Sequence, residues 1–279
     1  MFKTLIYSAF ALTAFAFNSI LCRMALRGGE ADPTGFTVVR LASGAIVLLI
    51  ISYLLKRSAK PLSDTNWVSA LLLFAYAACF SFAYLGLTAG TGALILFGAV
   101  QITMIGTAVF RGERPGTLEW VGTLTAIGGL IYLVLPGLSS PPLVSAVLMT
   151  AAGAAWGIYT LRGKSSGDPL SDTTANFVLA VPAAFALAVP YYSRLQLSSR
   201  GMITAAISGA VTSGLGYTAW YAALKNISAT RAAVMQLSVP VIAAIGGILL
   251  LSEVNSFRTV VGACLVLGGI AVTILGKRR

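Results

Sequence analysis

Residues 87–135, LTAGTGALILFGAVQITMIGTAVFRGERPGTLEWVGTLTAIGGLIYLVL, return as residues 227–275, ISATRAAVMQLSVPVIAAIGGILLLSEVNSFRTVVGACLVLGGIAVTIL. The copies align without a gap at a shift of about 140 residues, half of the 279-residue chain. Ala89 falls on Ala229, Ala93 on Ala233, Ile102 on Ile242 and Gly106 on Gly246. Glu113 falls on Glu253, Val121-Gly122 on Val261-Gly262 and Gly128-Gly129 on Gly268-Gly269. Shared composition scatters Gly and Ala matches. It does not readily put an acid in register with the glycines that flank it. The chain is therefore read as a duplicated unit, residues 1–138 followed by 139–279.

Composition says what the unit is dissolved in. Hydrophobic residues make up 57% of the chain and charged residues 10%, with a mean hydropathy of +0.88. A soluble domain carries about 25% charged residues. This chain cannot cover a water-facing surface, so its solvent is lipid. The net charge of +11 does not signal nucleic acid, because Lys and Arg fall in short breaks between apolar runs. Cys22, Cys79 and Cys264 lie in or beside those runs, without metal-ligand spacing or a disulfide framework. There is no histidine, the commonest general base and metal ligand. No cofactor, metal or catalytic group is expected.

About ten apolar windows approach the 20 residues a helix needs to cross the hydrocarbon core. They span 3–23, 34–55, 66–88, 92–110, 116–135, 142–161, 173–192, 200–223, 230–250 and 257–276. The first is read as a retained span rather than a signal peptide, since its apolar core is long and lacks an A-x-A exit. No segment alternates polar and apolar residues as a membrane strand would. The fold class is an all-α membrane protein. With the N-terminus inside, thirteen Lys and Arg fall on inner segments. Six fall on outer ones: Arg23, Arg27, Arg40, Arg194, Arg200 and Arg258. Both termini are thus expected in the cytoplasm. Five spans per unit is odd, so the two units face opposite ways. That inverted repeat is the architecture of carriers with two mirror-related states.

The residues in register also carry a family resemblance. Gly112-Glu113-Arg114 with Gly122 and Gly128-Gly129 resembles the end of an EamA-type unit of the drug/metabolite transporter superfamily. Ser252-Glu253 with Gly262 and Gly268-Gly269 does so again. Ala222-Ala223-Leu224-Lys225 with Ser228-Ala229 is similar to that family's A-L-K…S-A turn, and Pro240 matches its mid-helix proline. The first copy departs, with Val100 and Leu85 at the proline and lysine positions. The aromatic-rich spans look most like the YddG-type aromatic amino acid exporters of bacterial inner membranes. The resemblance implies secondary transport around a cavity walled by the first, third, fourth, sixth, eighth and ninth spans.

Candidate substrate contacts are polar or aromatic residues within those spans. Asn18, Gln101 and Gln236 lie mid-span, where each either meets a zwitterionic substrate or only bonds a neighbouring helix. Tyr76, Phe80 and Tyr84 recur every four residues and share one helix face. Tyr217 and Tyr221 do likewise, with Trp220 beside them. Trp156 and Tyr159 sit in the sixth span, and Phe17 aligns with Trp156. Such stripes serve as packing, as an interfacial belt or as a wall for bulky apolar substrates. Glu113 and Glu253 lie at span ends, where they bind the exposed N–H groups of the next helix or pair with Arg114 and Arg258, a structural or gating role preferred to substrate binding. Pro240 is a candidate hinge. Arg23, Arg40, Arg162 and Arg231 lie near span ends, where they snorkel or else bind a phosphate or carboxylate; no Lys or Arg sits at an expected midplane, and snorkelling is the reading taken. Gly153-x3-Gly157, Gly86-x3-Gly90 and Gly209-x3-Ser213 are expected to permit close helix approach.

No acid lies deep in a span, so a facilitator or exchanger is expected rather than a proton antiporter. The reading is an exporter of small organic solutes, amino acids first, aromatic and bulky apolar ones above all. A drug or metabolite exporter of the same fold is the alternative. An intramembrane enzyme lacks convergent acids, histidines or a Ser/Lys pair. A non-transporting receptor has little use for an inverted repeat. The sequence assigns no oligomeric state.

Overall fold

Apolar runs leave the backbone no solvent to bond with, so each closes its own hydrogen bonds as a helix. The computed structural model describes residues 2–55, 67–110, 112, 116–135, 140–164, 166–226, 235–236, 238–254 and 256–276. Ten helices run through them: α1 (Phe2–Arg27), α2 (Pro33–Leu54), α3 (Trp67–Ala83), α4 (Ala89–Phe110) and α5 (Thr117–Val134) come first. Then follow α6 (Leu143–Gly163), α7 (Pro169–Ala188, extended by a 3-10 turn over Val189–Arg194), α8 (199–224), α9 (Ser238–Leu251) and α10 (Phe257–Gly276). Five of the described helical stretches are long and apolar enough to cross a membrane, in α1, α2, α4, α6 and α7 with its extension. Others, among them α3 and α9, are shorter and equally apolar. Glu113 and Arg231 lie outside the described residues.

Local chemistry sets the ends. Asp32 Oδ1 accepts the Thr34 and Gly35 amides at 2.9 and 3.0 Å, and Pro33 starts α2 where its missing N–H costs nothing. Glu119 reaches back to the Gly116 amide, 2.6 Å, to start α5. Ser198 caps α8 through the Gly201 amide. The third helix stops at Ala83, earlier than expected, where Tyr84–Gly86 turn the chain into α4.

Contacts at the bundle ends show the inversion. At one end the C-terminus of α1 meets the segment after α9, through Arg23 and Glu253, and the turn after α3, through Tyr84. The last turn of α5 and the start of α10 meet there too, through Arg258 and Tyr132. At the other end Arg162, late in α6, reaches Ser69, early in α3. Ser52, late in α2, meets Thr174, early in α7. So α1 runs toward the Glu253 end and α6 runs away from it, as two inverted five-helix repeats require.

The helix pairings obey the same symmetry. Helix α3 packs on α6 and α7, and its counterpart α8 packs on α1 and α2. Helix α4 packs on α6, and α9 on α1; α2 with α7, α4 with α9 and α5 with α10 are pairs of mates. Side chains on the outside are apolar: Leu49, Ile50, Leu71, Val147, Ile203 and Leu249 are all exposed. Tyr53, Trp67, Tyr192 and Phe257 are exposed at helix ends, as an interfacial aromatic belt requires.

Candidate functional site

The four-residue spacing of Tyr76, Phe80 and Tyr84 puts all three on the face of α3 that turns inward, and all are buried. Tyr76 meets Phe80 at a centroid distance of 5.4 Å and Trp156 of α6 at 5.0 Å. Trp156 in turn meets Tyr217 of α8 at 4.5 Å and Tyr159 at 5.5 Å. Phe15 of α1 stands edge-on to Trp156, Tyr217 and Trp220, each at 5.8 Å, and Phe177 of α7 lies 5.9 Å from Tyr217. Six of the expected contacts, Tyr76, Phe80, Tyr84, Trp156, Tyr159 and Tyr217, thus join one cluster drawn from both halves. Phe17 does not: it is exposed on the lipid side, and Phe15 takes the inner place. Two residues is about 200° of helix turn, so one cannot substitute for the other.

At the centre of this cluster sits Arg40. The expectation of a snorkelling residue at a span end is wrong. Arg40 lies seven residues into α2, about 10 Å along the axis, and is buried to 1% exposure. Its Nη2 donates to Tyr217 Oη at 2.9 Å and to Tyr76 Oη at 3.1 Å. Its Nε donates to Ser213 Oγ at 3.0 Å. The guanidinium carbon lies 5.1 Å from the Tyr76 ring centroid and 4.9 Å from that of Phe80. Nη1 has no hydrogen-bond partner among the described residues.

The backbone of α8 is shaped for this. Residues Ser208–Leu215 form a π segment, an interruption that recurs at functional sites. Gly209 lets that segment touch α2: a Cβ there would fall 2.0 Å from the Arg40 carbonyl oxygen. Asn18 of α1 locks the pairing. Its Oδ1 accepts Ser208 Oγ at 2.5 Å and Thr212 Oγ1 at 3.2 Å, and its Nδ2 donates to Tyr76 Oη at 3.2 Å. Asn18 therefore holds α1, α3 and α8 together through the tyrosine that Arg40 also grips.

Glu253 does not pair with Arg258. Its Oε1 accepts Arg23 Nε at 3.2 Å, and its Oε2 accepts the Ala89 amide at the start of α4, 2.9 Å. Ser252 adopts a left-handed φ of 49° that folds the chain back, so that the Glu253 amide bonds Gly247 O. Arg23 Nη1 also donates to the Tyr84 and Leu85 carbonyls, and Arg27 Nη1 to that of Leu251. Arg258 instead grips the carbonyls of Tyr132 and Leu135. Together these bonds join α1, α3, α4 and α9 at one end of the bundle.

Gln101 and Gln236 are buried on α4 and within the short stretch before α9. Among the described residues no hydrogen bond joins either to the Arg40 network, and Gln236 Oε1 has no partner there. Pro240 is buried in the first turn of the described α9. Ser208, Thr212, Ser213, Phe177 and Asn176, which donates to Tyr159 Oη at 3.3 Å, belong to the site without a sequence signal of their own. Gly209-x3-Ser213 was the nearest pointer. Gly153 and Gly157 do seat α6 closely on α4, whereas Gly86 and Gly90 face different neighbours, α6 and α9.

Comparison with known proteins agrees with this geometry. A model of the EamA-like transporter family matches residues 2–135 and again 143–275. An uncharacterized protein of Pseudomonas aeruginosa is 47% identical, covering 98% of this chain and 94% of its own. The threonine/homoserine exporter RhtA of Salmonella typhimurium is 24% identical over 88% of this chain and 83% of its own. A probable terminal-alkyne amino-acid exporter of Streptantibioticus cattleyicolor is 25% identical over 88% and 86%. One solved crystal structure shares the fold at a TM-score of 0.69 and 16% identity, covering 98% of this chain and 99% of its own. With two family matches in tandem, two inverted sets of helices and a polar, aromatic centre between them, the chain belongs to the EamA-like transporter family.

Proposed function

We propose that this protein exports amino acids, aromatic and bulky apolar ones first, by alternating access across a bacterial inner membrane. The observation that carries the reading is the cluster of Tyr76, Phe80, Trp156, Tyr159 and Tyr217. It is contributed by both halves and surrounds a polar centre. Aromatic walls bind planar apolar side chains by stacking and burial, and hydroxyl and guanidinium donors suit the polar end of an amino acid. Two relatives named as amino-acid exporters support the same solute class.

In this reading the halves, 1–138 and 139–279, rock about the cluster. Gln101 and Gln236 complete its walls on the α4 and α9 side, and Pro240 is the hinge of α9. Both termini are cytoplasmic, so the end tied by Arg23 and Glu253 faces outward and parts on release. Among the described residues no carboxylate touches the Arg40 network, which favours facilitated diffusion or exchange over proton coupling. Purified protein in liposomes with radiolabelled phenylalanine, tryptophan and threonine tests this. Flux of the aromatic amino acids that is unchanged by an imposed pH gradient is the expected result. Lipophilic cations moving in their place would overturn the substrate class, and gradient-driven accumulation would overturn the facilitator.

A further inference from the structure

We infer that Arg40 is the anchor for a substrate carboxylate, so that the transported solute must carry an acid group. This deepens the amino-acid reading and rests on it for the identity of the solute, though not for the existence of the site. Burying a guanidinium away from water costs several kcal/mol unless an anion and hydrogen bonds compensate it. Arginine does not shed its proton to escape that cost. Arg40 is 1% exposed, and its partners are the neutral hydroxyls of Ser213, Tyr76 and Tyr217. The ring faces of Tyr76 and Phe80 add cation–π attraction without supplying a counter-charge.

The described acids lie elsewhere. Glu253 pairs with Arg23. Glu30 bonds Ser198, Asp32 caps α2, and Glu119 caps α5. Asp168 and Asp172 stand at the start of α7. Asp64 and Glu113 lie outside the described residues.

The donor count points the same way. A guanidinium has five N–H groups. Nε–H and both Nη2–H groups are used, leaving the two on Nη1 unpartnered. The hydroxyls around it are already engaged: Tyr76 Oη accepts from both Arg40 Nη2 and Asn18, and Tyr217 Oη accepts from Arg40 Nη2 and lies 3.4 Å from Tyr76 Oη. The site has spare donors and lacks an acceptor, and a carboxylate is the acceptor whose geometry matches a guanidinium edge. Phe80 and Tyr76, whose faces the guanidinium overlies, would then flank the solute's side chain. The solute is thereby read at two points, acid by Arg40 and apolar body by the cluster.

The test is equilibrium binding to the full-length protein in detergent, followed by Trp fluorescence, with phenylpropionate and phenylethylamine as probes. The first has the acid without the amine, the second the amine without the acid. Wild type is expected to bind phenylpropionate at least about tenfold more tightly. Arg40→Gln should bring that ratio near one, and Arg40→Lys should keep part of it, as a point charge without the fork. Equal binding of both probes by wild type, or an unchanged ratio in a folded Arg40→Gln, would overturn the inference. Should Arg40→Gln not fold, the wild-type comparison decides alone. Discrimination for the acid with no amino-acid flux in liposomes would sink the export reading and leave the anion site standing. Flux of phenylalanine matched by equal flux of its carboxyl amide would sink the anion site alone.

Discussion

Arg40 and Glu253 are the two charges whose surroundings matter most, and they are satisfied in opposite ways. Glu253 has a cation, Arg23, and a helix N-terminus, so its burial is compensated on both oxygens. Among the described residues Arg40 has neutral partners alone. The difference supports the proposed roles, Glu253 in closure and Arg40 in recognition. Glu253→Ala leaves the Ala89 amide unpartnered and Arg23 without its anion. It should lower stability by about 1–3 kcal/mol. That is below the loss for a fully buried pair, because Arg23 keeps 15% of its side-chain surface. Denaturant unfolding in detergent measures it. Adding Arg23→Ala should cost less than its effect on wild type, and strict additivity of the two losses would argue against a coupled latch.

Among the elements α8 is the one whose irregularity has a purpose. Its π segment lies between residues that face α1 and α2 and the Tyr217 and Tyr221 rings that reach Trp156 and Tyr159 of α6. Ser208 and Thr212 reach Asn18, Ser213 reaches Arg40, and Tyr217 then lands on both Arg40 and Trp156. A regular helix would have to give up one of these. Val211 points outward within the segment. Deleting it should restore α register and rotate Tyr217 by about 100° relative to Ser208. Helix content by circular dichroism should persist while the Arg40–Tyr217 bond, and with it substrate binding, is lost. Retained binding would mean the π segment does not set the register. The α5 and α10 pair is built differently, by close backbone packing. Gly122 and Gly269 sit backbone to backbone, where a Cβ on Gly122 would fall 2.4 Å from the Gly269 oxygen. Its glycines hold the halves together away from the site.

At the scale of the molecule, two units of opposite sense form one bundle with a tied end and a polar, aromatic centre. Burial of Arg40 also alters the charge argument for orientation. Removed from the outer loops, it leaves the Glu253 end with Arg23, Arg27, Arg194, Arg200 and Arg258. Three of those, Arg23, Arg27 and Arg258, are committed to Glu253 or to backbone carbonyls. The bias toward a cytoplasmic opposite end is thereby stronger. Fusion of a reporter to the C-terminus in bacteria checks it: green fluorescent protein should fluoresce there and alkaline phosphatase should stay inactive. Active phosphatase would place the tied end in the cytoplasm and reverse the direction of the proposed gate.

Much of this was legible in the chain alone. Lipid as solvent, ten helices, their rough ends and the inverted duplication follow from composition, period and register, because a membrane forces apolar runs into helices. The shared face of Tyr76, Phe80 and Tyr84 follows from helical spacing. What the sequence could not decide is which residues far apart in the chain meet. Arg40 looked like a span-end cation because linear position says nothing of what lies beside it in space. Only packing put Ser213, Tyr217 and Tyr76 around it, 173, 177 and 36 residues away. Phe15 displaced Phe17 because the rotation of α1 is set by its neighbours, and Glu253 chose Arg23 because α1 and α9 end side by side. Hydrophobicity and period determined the elements; the facing of helices against one another, a matter of shape and of unsatisfied polar groups, determined the site.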